Sequence, residues 1–305
     1  MNLCTSCLVI LLISKIVDSL EPEGIQGGYD AQPGMFTYHV IVEMYNEFLC
    51  GGAVIDDRHV VTAAHCVADR TGSFYYSPMK IIGGIHDKSV GSFTKFSADV
   101  LRAYIPKSFL TRKSEFRYVG DIAVLKLVQS LNSSVNPFLV PLKLPSIRRQ
   151  FVNEFVTVTG FGWNKVQVSF DLHGRGLVES GVSYGRMRFA TATVLSRVEC
   201  QGLIPSIPIS SSMLCAKITQ RGPYFPQGIC TGDSGGPLVY NNRILVGIVS
   251  KGPVGCDETF TAGIYTRVSS YLDFIQKVIK DIPSSEHLYM DLVEYTTDSW
   301  HTPQR

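Results

Sequence analysis

The chain has 305 residues, 45% of them hydrophobic and 18% charged, with Lys+Arg 28 against Asp+Glu 26 for a formal net charge of +2. So much apolar material and so little charge exclude a disordered chain, and at about 300 residues it can bury roughly three quarters of its unfolded surface, as one large domain or two packed subdomains. The balanced charge excludes a polyanion such as nucleic acid as the main partner, and 27 Gly and 15 Pro without period, with no sustained heptads, exclude collagen and coiled coil.

Residues Leu8 to Ile13 form an apolar run followed by Lys15 and then Val17-Asp18-Ser19. A bilayer span needs about 20 apolar residues, so this shorter run reads as a secretory signal peptide over 1–19, cut after Ser19, and not as a membrane anchor. Cys4 and Cys7 fall within the segment to be removed, and no βαβ pattern follows to make their C-x-x-C a redox motif. Export places the mature chain outside the cell. There the six remaining cysteines, Cys50, Cys66, Cys200, Cys215, Cys230 and Cys256, suit disulfides, and Cys50/Cys66 and Cys200/Cys215 lie about 16 and 15 residues apart, as local staples would. Zinc is the rival, and it fails because no pair has the gap of roughly two to four residues usual for zinc ligands. Asn132-Ser133-Ser134 is an N-glycosylation acceptor pattern that agrees with export.

Between Ile25 and about Tyr265 the chain reads as many short β segments punctuated by Gly, Pro, Asn and Asp: Tyr38 to Met44, Ala53 to Ile55, His59 to Thr62, Ile122 to Val128, Phe155 to Thr159, Pro237 to Tyr240 and Ile244 to Val249. β-branched residues and alternation at this spacing point to all-β barrels or sandwiches. Ser73 to Gly91 and Trp163 to Arg186 read as long loops. A single helical signal stands out near the end: Ser270 and Asp273 mark a start, and Tyr271, Phe274, Ile275, Val278, Ile279 and Ile282 recur at helical spacing. The tail beyond Ile282 reads as a mobile extension, with docking through Tyr289, Leu292 and Trp300 as the alternative.

Three segments carry chemistry. Gly232-Asp233-Ser234-Gly235-Gly236-Pro237 sets a serine among glycines that can turn backbone N–H groups toward one point, which an oxyanion requires; the serine itself needs a base. Thr62-Ala63-Ala64-His65-Cys66 offers an imidazole flanked by small residues. Gly120-Asp121-Ile122-Ala123-Val124-Leu125-Lys126-Leu127 places one carboxylate at the head of an apolar strand, where burial demands a partner.

With these motifs in the order His, Asp, Ser, residues 25 to about 281 resemble the chymotrypsin-like (trypsin-like) serine endopeptidases, the family that supplies the general template of the Ser-His-Asp triad. The resemblance implies a fold of two packed six-stranded antiparallel β-barrels with a C-terminal helix: barrel one about 25–145, barrel two about 146–268, the helix about 269–281 and a C-terminal extension over 282–305. It implies Ser234 as nucleophile, His65 as general base and then acid, Asp121 as the carboxylate orienting His65, and the N–H groups of Gly232 and Ser234 as the oxyanion hole. It also implies the disulfides Cys50 to Cys66, Cys200 to Cys215 and Cys230 to Cys256, and neither metal nor organic cofactor; Ile85 stands where calcium-binding members have an acidic ligand.

Ile25-Gln26-Gly27-Gly28 resembles the new N-terminus of an activated member, whose α-amino group pairs with the acid before the serine, here Asp233. Residues 20–24 are then a short propeptide, and its Glu21-Pro22-Glu23-Gly24 lacks the basic residue a trypsin-like activator cuts after. Gly228 falls at the base of the specificity pocket, where trypsin-like members carry Asp; Ile229, Ser250, Gly252 and Gly263 match its lining. The pocket is expected to be open, to take a medium or large apolar side chain before the scissile bond and to refuse Arg and Lys, although Lys251 replaces a common tryptophan and Asp257 and Glu258 follow Cys256. Expected partners are protein or peptide substrates, protein inhibitors and an activating protease, with a monomeric chain and no nucleic acid or membrane. The rival reading is a catalytically weak or inactive homologue that acts as a binding or regulatory module.

Overall fold

The computed structural model describes residues 25–45, 47–75, 78–89, 94–110, 118–132, 138–146, 149–163, 165–170, 177–183, 185–219, 225–282 and 289–291. The expected leader (1–19) and propeptide (20–24), Ser133 and Ser134 of the glycosylation pattern, and Leu292 and Trp300 of the tail lie outside the described residues. Asn132 itself is exposed.

After a two-residue strand β1 (Tyr29–Asp30), barrel one is built from β2 (His39–Met44), β3 (Glu47–Val54), β4 (His59–Thr62), β5 (Met79–Gly83), β6 (Phe96–Pro106) and β7 (Ala123–Leu127). The antiparallel order β5-β2-β3-β4-β7 is closed by β6, which pairs with both β5 and β7. Barrel two uses β8 (Phe155–Gly160), then, past the two-stranded hairpin β9 (Lys165–Phe170) and β10 (Leu177–Val182), β11 (Arg188–Val194), β12 (Met213–Ile218), β13 (Pro237–Tyr240), β14 (Ile244–Lys251) and β15 (Gly263–Arg267). Its order β11-β12-β15-β14-β13-β8 closes through the β11–β8 pairing. The expected pair of six-stranded antiparallel barrels is therefore the architecture.

Period-two burial explains the closure. In β11 the side chains of Arg188, Ala190, Ala192 and Val194 are buried and those between them are more accessible, so one face fills the barrel. By contrast β4 and most of β14 are buried on both faces. Closing each sheet removes its edges, and each fully buried aliphatic side chain adds about 1.5 to 3 kcal/mol of transfer free energy.

Several details differ from the sequence expectation. Ile25 sits in the core of barrel two and β1 pairs with β11, so the first residues of the presumed barrel one belong to its neighbour. The stretch Ser73 to Gly91 contains β5, and Trp163 to Arg186 contains the β9–β10 hairpin, whose first strand was legible in the alternation of Val166, Val168 and Phe170 with Lys165, Gln167 and Ser169. A first helix, α1 (Arg197–Leu203), went unrecognised although Ser196 and Glu199 form a complete capping box. The terminal helix α2 (Leu272–Ile279) follows a 3-10 turn over Val268–Tyr271, and Ser270 does not cap it. Its Leu272, Phe274, Ile275 and Val278 join the core of barrel one, which staples the two barrels together. In the tail, β16 (Tyr289–Asp291) pairs antiparallel with β6, so that part docks instead of extending freely.

Candidate active site

The expected functional residues gather where the barrels meet. After β4 the chain enters a 3-10 turn over Ala64–Cys66, which buries Ala64 and Cys66 and leaves the His65 side chain 37% exposed. Asp121, ahead of β7, is 1% exposed. One carboxylate oxygen accepts the His65 backbone N–H at 3.0 Å, and the other lies 2.9 Å from His65 Nδ1. A carboxylate only accepts, so Nδ1 carries the proton and Nε2 of the neutral ring is left as an acceptor. Barrel two reaches across to the same acid: the Ser250 hydroxyl donates to Asp121 Oδ2 at 2.5 Å, and the Thr266 hydroxyl donates to its backbone carbonyl at 2.6 Å. Just before α2, the Tyr271 hydroxyl accepts the Gly120 N–H at 2.8 Å.

The electrostatics follow from these contacts. Burial pushes the Asp121 carboxyl up, but the charge and hydrogen bond of His65, with the Ser250 hydroxyl, outweigh it and hold the group below the ordinary carboxylate range. Burial pulls His65 down; the Asp121 charge and hydrogen bond overcome that and raise the ring above its usual value.

Ser234 is half-buried in the turn before β13, and its carbonyl accepts the Gly51 N–H at 2.8 Å. Gly51 follows Cys50, which is bonded to Cys66, the neighbour of His65. One hydrogen bond and one disulfide thus tie the serine turn to the histidine turn. Gly232 and Gly235 have φ of 95° and 77°. A Cβ at Gly235 would lie 2.2 Å from Thr62 Oγ1 and 2.5 Å from the Gly51 carbonyl, so only glycine lets the serine turn close on barrel one. Disulfides Cys200–Cys215 and Cys230–Cys256 are also formed. The Cys50 and Cys66 sulfurs cluster with His65, but being bonded to one another they are not thiolate ligands for a metal.

Residues 25–275 match the family model described as Trypsin. The chain belongs to the trypsin family. It is a serine endopeptidase, a hydrolase. Similar proteins include snake venom serine protease 2C of Craspedocephalus gramineus, 30% identical over 275 residues that make up 89% of this chain and 93% of the relative. Thrombin-like enzyme 1 of Trimeresurus albolabris is 32% identical over 248 residues, covering 79% and 83% of the two chains. Mouse brain neuropsin, a serine protease, superposes with a TM-score of 0.68 at 23% identity, covering 84% of this chain and all of that one, which bears on the fold alone. The non-catalytic alternative finds no favour in these similarities. Among the described residues no helix of this protease is long and apolar enough to cross a membrane.

The expected activation segment lies close to the expected pocket of the protease. Ile25 is fully buried, and the Gln26 carbonyl accepts the Gly228 N–H at 2.9 Å. Asp233, also fully buried, accepts N–H groups from Cys230 at 2.8 Å and Gly162 at 2.9 Å. Burial pushes its carboxyl up to about 7 against those bonds and against the charge of Lys88, whose ammonium lies 5.2 Å from the Phe161 ring centre.

Of the expected lining residues, Gly228, Ile229, Gly252 and Gly263 are linked through Ile229 and Glu258, while Ser250 turns its hydroxyl to Asp121, and two features bear on the expectation. First, Ile229 lies against both glycines. A Cβ on Gly252 would meet the Ile229 carbonyl at 2.6 Å and Ile229 Cγ1 at 3.3 Å, and one on Gly263 would meet Ile229 Cδ1 at 2.9 Å, so Ile229 stands between the two glycine walls. Second, an acid is close by. Glu258 is fully buried, with Cγ 3.0 Å from the Cβ position of Gly228 and Oε1 2.9 Å from that of Gly263. It accepts from Ile218 N at 2.8 Å and Ile229 N at 3.2 Å, and burial pushes it up to about 7. Sequence reasoning noted Glu258 only as a nearby charge, and it missed Thr266 and Tyr271. Thr266, a hydroxyl buried in a strand after Gly263, Ile264 and Tyr265, was the available signal.

Proposed function

We propose that this protein is a secreted endopeptidase in which Ser234 attacks the substrate carbonyl while His65 Nε2 takes its proton. The carbonyl π electrons move to oxygen, where the N–H groups of Gly232 and Ser234 stabilise the oxyanion; removing one such donor costs about 2.7 to 4 kcal/mol. His65 then passes the proton to the leaving amine, leaving an acyl-enzyme on Ser234. Water repeats the sequence and releases the acid. Asp121 stays ionised, fixes the tautomer and stabilises the imidazolium. The observation that carries this reading is the bond of 2.9 Å between His65 Nδ1 and the sealed Asp121, which leaves Nε2 as the free base.

Activation frees Ile25. The new ammonium group pairs with Asp233, a carboxyl whose ionised form lacks a strong counter-charge and gains most from one. With Glu21-Pro22-Glu23-Gly24 before the cut, the activator is a protease of other specificity, or dipeptides are removed stepwise. The substrates are proteins or peptides cleaved after an apolar residue, not after Arg or Lys: Gly228 presents no charge, Ile229 presents an aliphatic surface, and Glu258 is engaged by backbone N–H groups. Ile229 between the walls favours a medium side chain over a large one. The protease works as a monomer, without metal or cofactor, under the control of protein inhibitors.

The test is labelling of the protein by a fluorophosphonate once Ile25 is exposed, beside Ser234→Ala, with a peptide library read in parallel. Labelling lost in the variant, and cleavage after medium apolar residues, are expected. Equal labelling of both proteins would overturn the nucleophile, and dominant cleavage after Arg or Lys would overturn the pocket assignment.

A further inference from the structure

Strand β14 ends between the two halves of the site. Ser250 donates to the buried Asp121, and the Cβ position of Gly252 lies 3.3 Å from Ile229 Cγ1, so Lys251 stands on the chain between the triad acid and the pocket wall. β13 accompanies β14 only as far as Ile248, with Gly235 and Gly236 bonded to Val249 beyond it, whereas β15 follows β14 to Lys251. The other edge of Ser250 and Lys251 therefore carries no strand among the described residues. An extended peptide can lie along such an edge, with successive side chains pointing to opposite faces.

Ser250 is buried and Lys251 is exposed. The Lys251 ammonium lies 5.6 Å from the centre of the Tyr118 ring, shortly before Asp121 in the chain. A ring face attracts a cation but brings no charge of its own, so Tyr118 steadies the ammonium at the cleft without neutralising it. No carboxylate pairs with Lys251 among the described residues. The acids around the cleft are committed elsewhere: Asp121 to His65 and Ser250, Asp233 and Glu258 to backbone N–H groups, and Asp257 to the Thr259 N–H at 2.9 Å. A steadied cation on an open strand edge, with no anion of its own, is half of an ion pair.

We propose that Lys251, steadied by Tyr118, is a specificity-determining residue that favours substrates with Asp or Glu among the three residues preceding the one that fills the pocket. The inference rests on the peptidase reading above. It narrows the substrates from any peptide with a medium apolar residue before the scissile bond to acidic segments that end in one.

Peptides of one sequence, carrying Glu, Gln or Lys in turn at each of those three positions, are hydrolysed by the protein once Ile25 is exposed. At low ionic strength the Glu peptide is expected to exceed its Gln counterpart about two- to fivefold in kcat/KM at one position or more, the gain of an exposed ion pair, through KM and fading at about 1 M salt. Lys251→Met should level Glu and Gln, Lys251→Arg should keep the preference, and Lys251→Glu should turn it toward the Lys peptide, while Lys80→Met on the other barrel leaves it in place. Equal values for Glu and Gln at all three positions, a preference that survives in Lys251→Met, or one carried by kcat with KM unchanged would overturn the assignment. The same peptides are also titrated into Ser234→Ala, where no turnover is needed. Tighter binding of Glu over Gln by the same factor is expected there, and equal affinity would overturn the site. Fluorophosphonate labelling of the unaltered protein judges the nucleophile separately, so failure of the one reading is distinguishable from failure of the other.

Discussion

Asp121 in barrel one and Glu258 in barrel two are carboxylates sealed from solvent, at 1% and 0% exposure. Each accepts backbone N–H groups: His65 for Asp121, Ile218 and Ile229 for Glu258. Yet Asp121 is held below the ordinary range, and Glu258 is pushed up to about 7. The difference lies in what else touches the carboxylate. Asp121 has an imidazole at 2.9 Å and a hydroxyl at 2.5 Å, whereas the cation nearest in effect to Glu258, Lys217, spends its ammonium on the Thr259 carbonyl. Backbone dipoles alone do not offset the burial of a full charge, and an adjacent group that can become cationic does. Ionisation is thus secured at the acid that, in the proposed mechanism, stabilises an imidazolium. At the pocket floor the acid needs only to brace three segments.

Breaking the ionised member should have the largest effect. In Asp121→Asn the amide can donate to Nδ1, which moves the ring proton to Nε2 and removes the base. The expected fall in kcat is about 10,000-fold, the size known for this change in the family template, with the thermal midpoint moved far less. A loss under about tenfold in peptide hydrolysis would erase the distinction between the two acids.

The second prediction concerns the other acid and pH. Below its unfolded value near 4.3 Glu258 is protonated in both states and costs nothing. As pH rises from there toward about 7 the unfolded chain ionises before the folded one, so stability falls, and it levels off above about 7 where both are ionised. Asp121 has the opposite sign: its contribution is present above its ordinary value and is lost as pH drops through its lower folded value. Glu258→Gln should therefore flatten the decline in stability between pH 5 and pH 8, by an order of about 2 to 3 kcal/mol, in urea unfolding at the two pH values. An unchanged slope would show that Glu258 is ionised at neutral pH like Asp121.

The contrast also marks what the sequence could disclose. His65, Asp121 and Ser234 each stand in a short segment whose neighbours serve the same site, such as Gly235, which lets the serine turn close on Thr62. The contact of His65 with Asp121 was legible because local pattern and tertiary need coincide. Glu258 has no such signature: its direction is set by contacts with Ile218, Gly228 and Gly263, residues far apart in the chain. Ile229 reads as apolar lining, and only the approach of Gly252 and Gly263 turns it into a wedge. The α1 helix was legible in its Ser196–Glu199 capping box but is too short for an apolar stripe.

A third prediction sharpens the role of the hydroxyl on Asp121. Ser250→Ala removes its bond of 2.5 Å while keeping the imidazole. Hydrogen bonds to charged groups contribute about 1.5 to 3 kcal/mol, so kcat/KM should fall about tenfold or more. The His65 pKa should move too, because a carboxylate that has lost its hydroxyl donor keeps more negative charge for the ring and stabilises the imidazolium more. The pH profile of kcat/KM reads both effects, and an unshifted acidic limb with full activity would assign Ser250 to the pocket wall alone.

The smallest effect is expected where the contact is neutral on both sides. Thr266 donates to the backbone carbonyl of Asp121 at 2.6 Å, not to its carboxylate, so Thr266→Val keeps the shape of the site and every charge in it. One buried carbonyl loses a partner, a cost of about 1 to 3 kcal/mol in unfolding free energy. If charge contact governs the acid, kcat should change by less than about threefold and the His65 pKa should not move. A loss matching that of Ser250→Ala would mean instead that the placement of the Asp121 backbone, and not the groups on its carboxylate, separates this acid from Glu258.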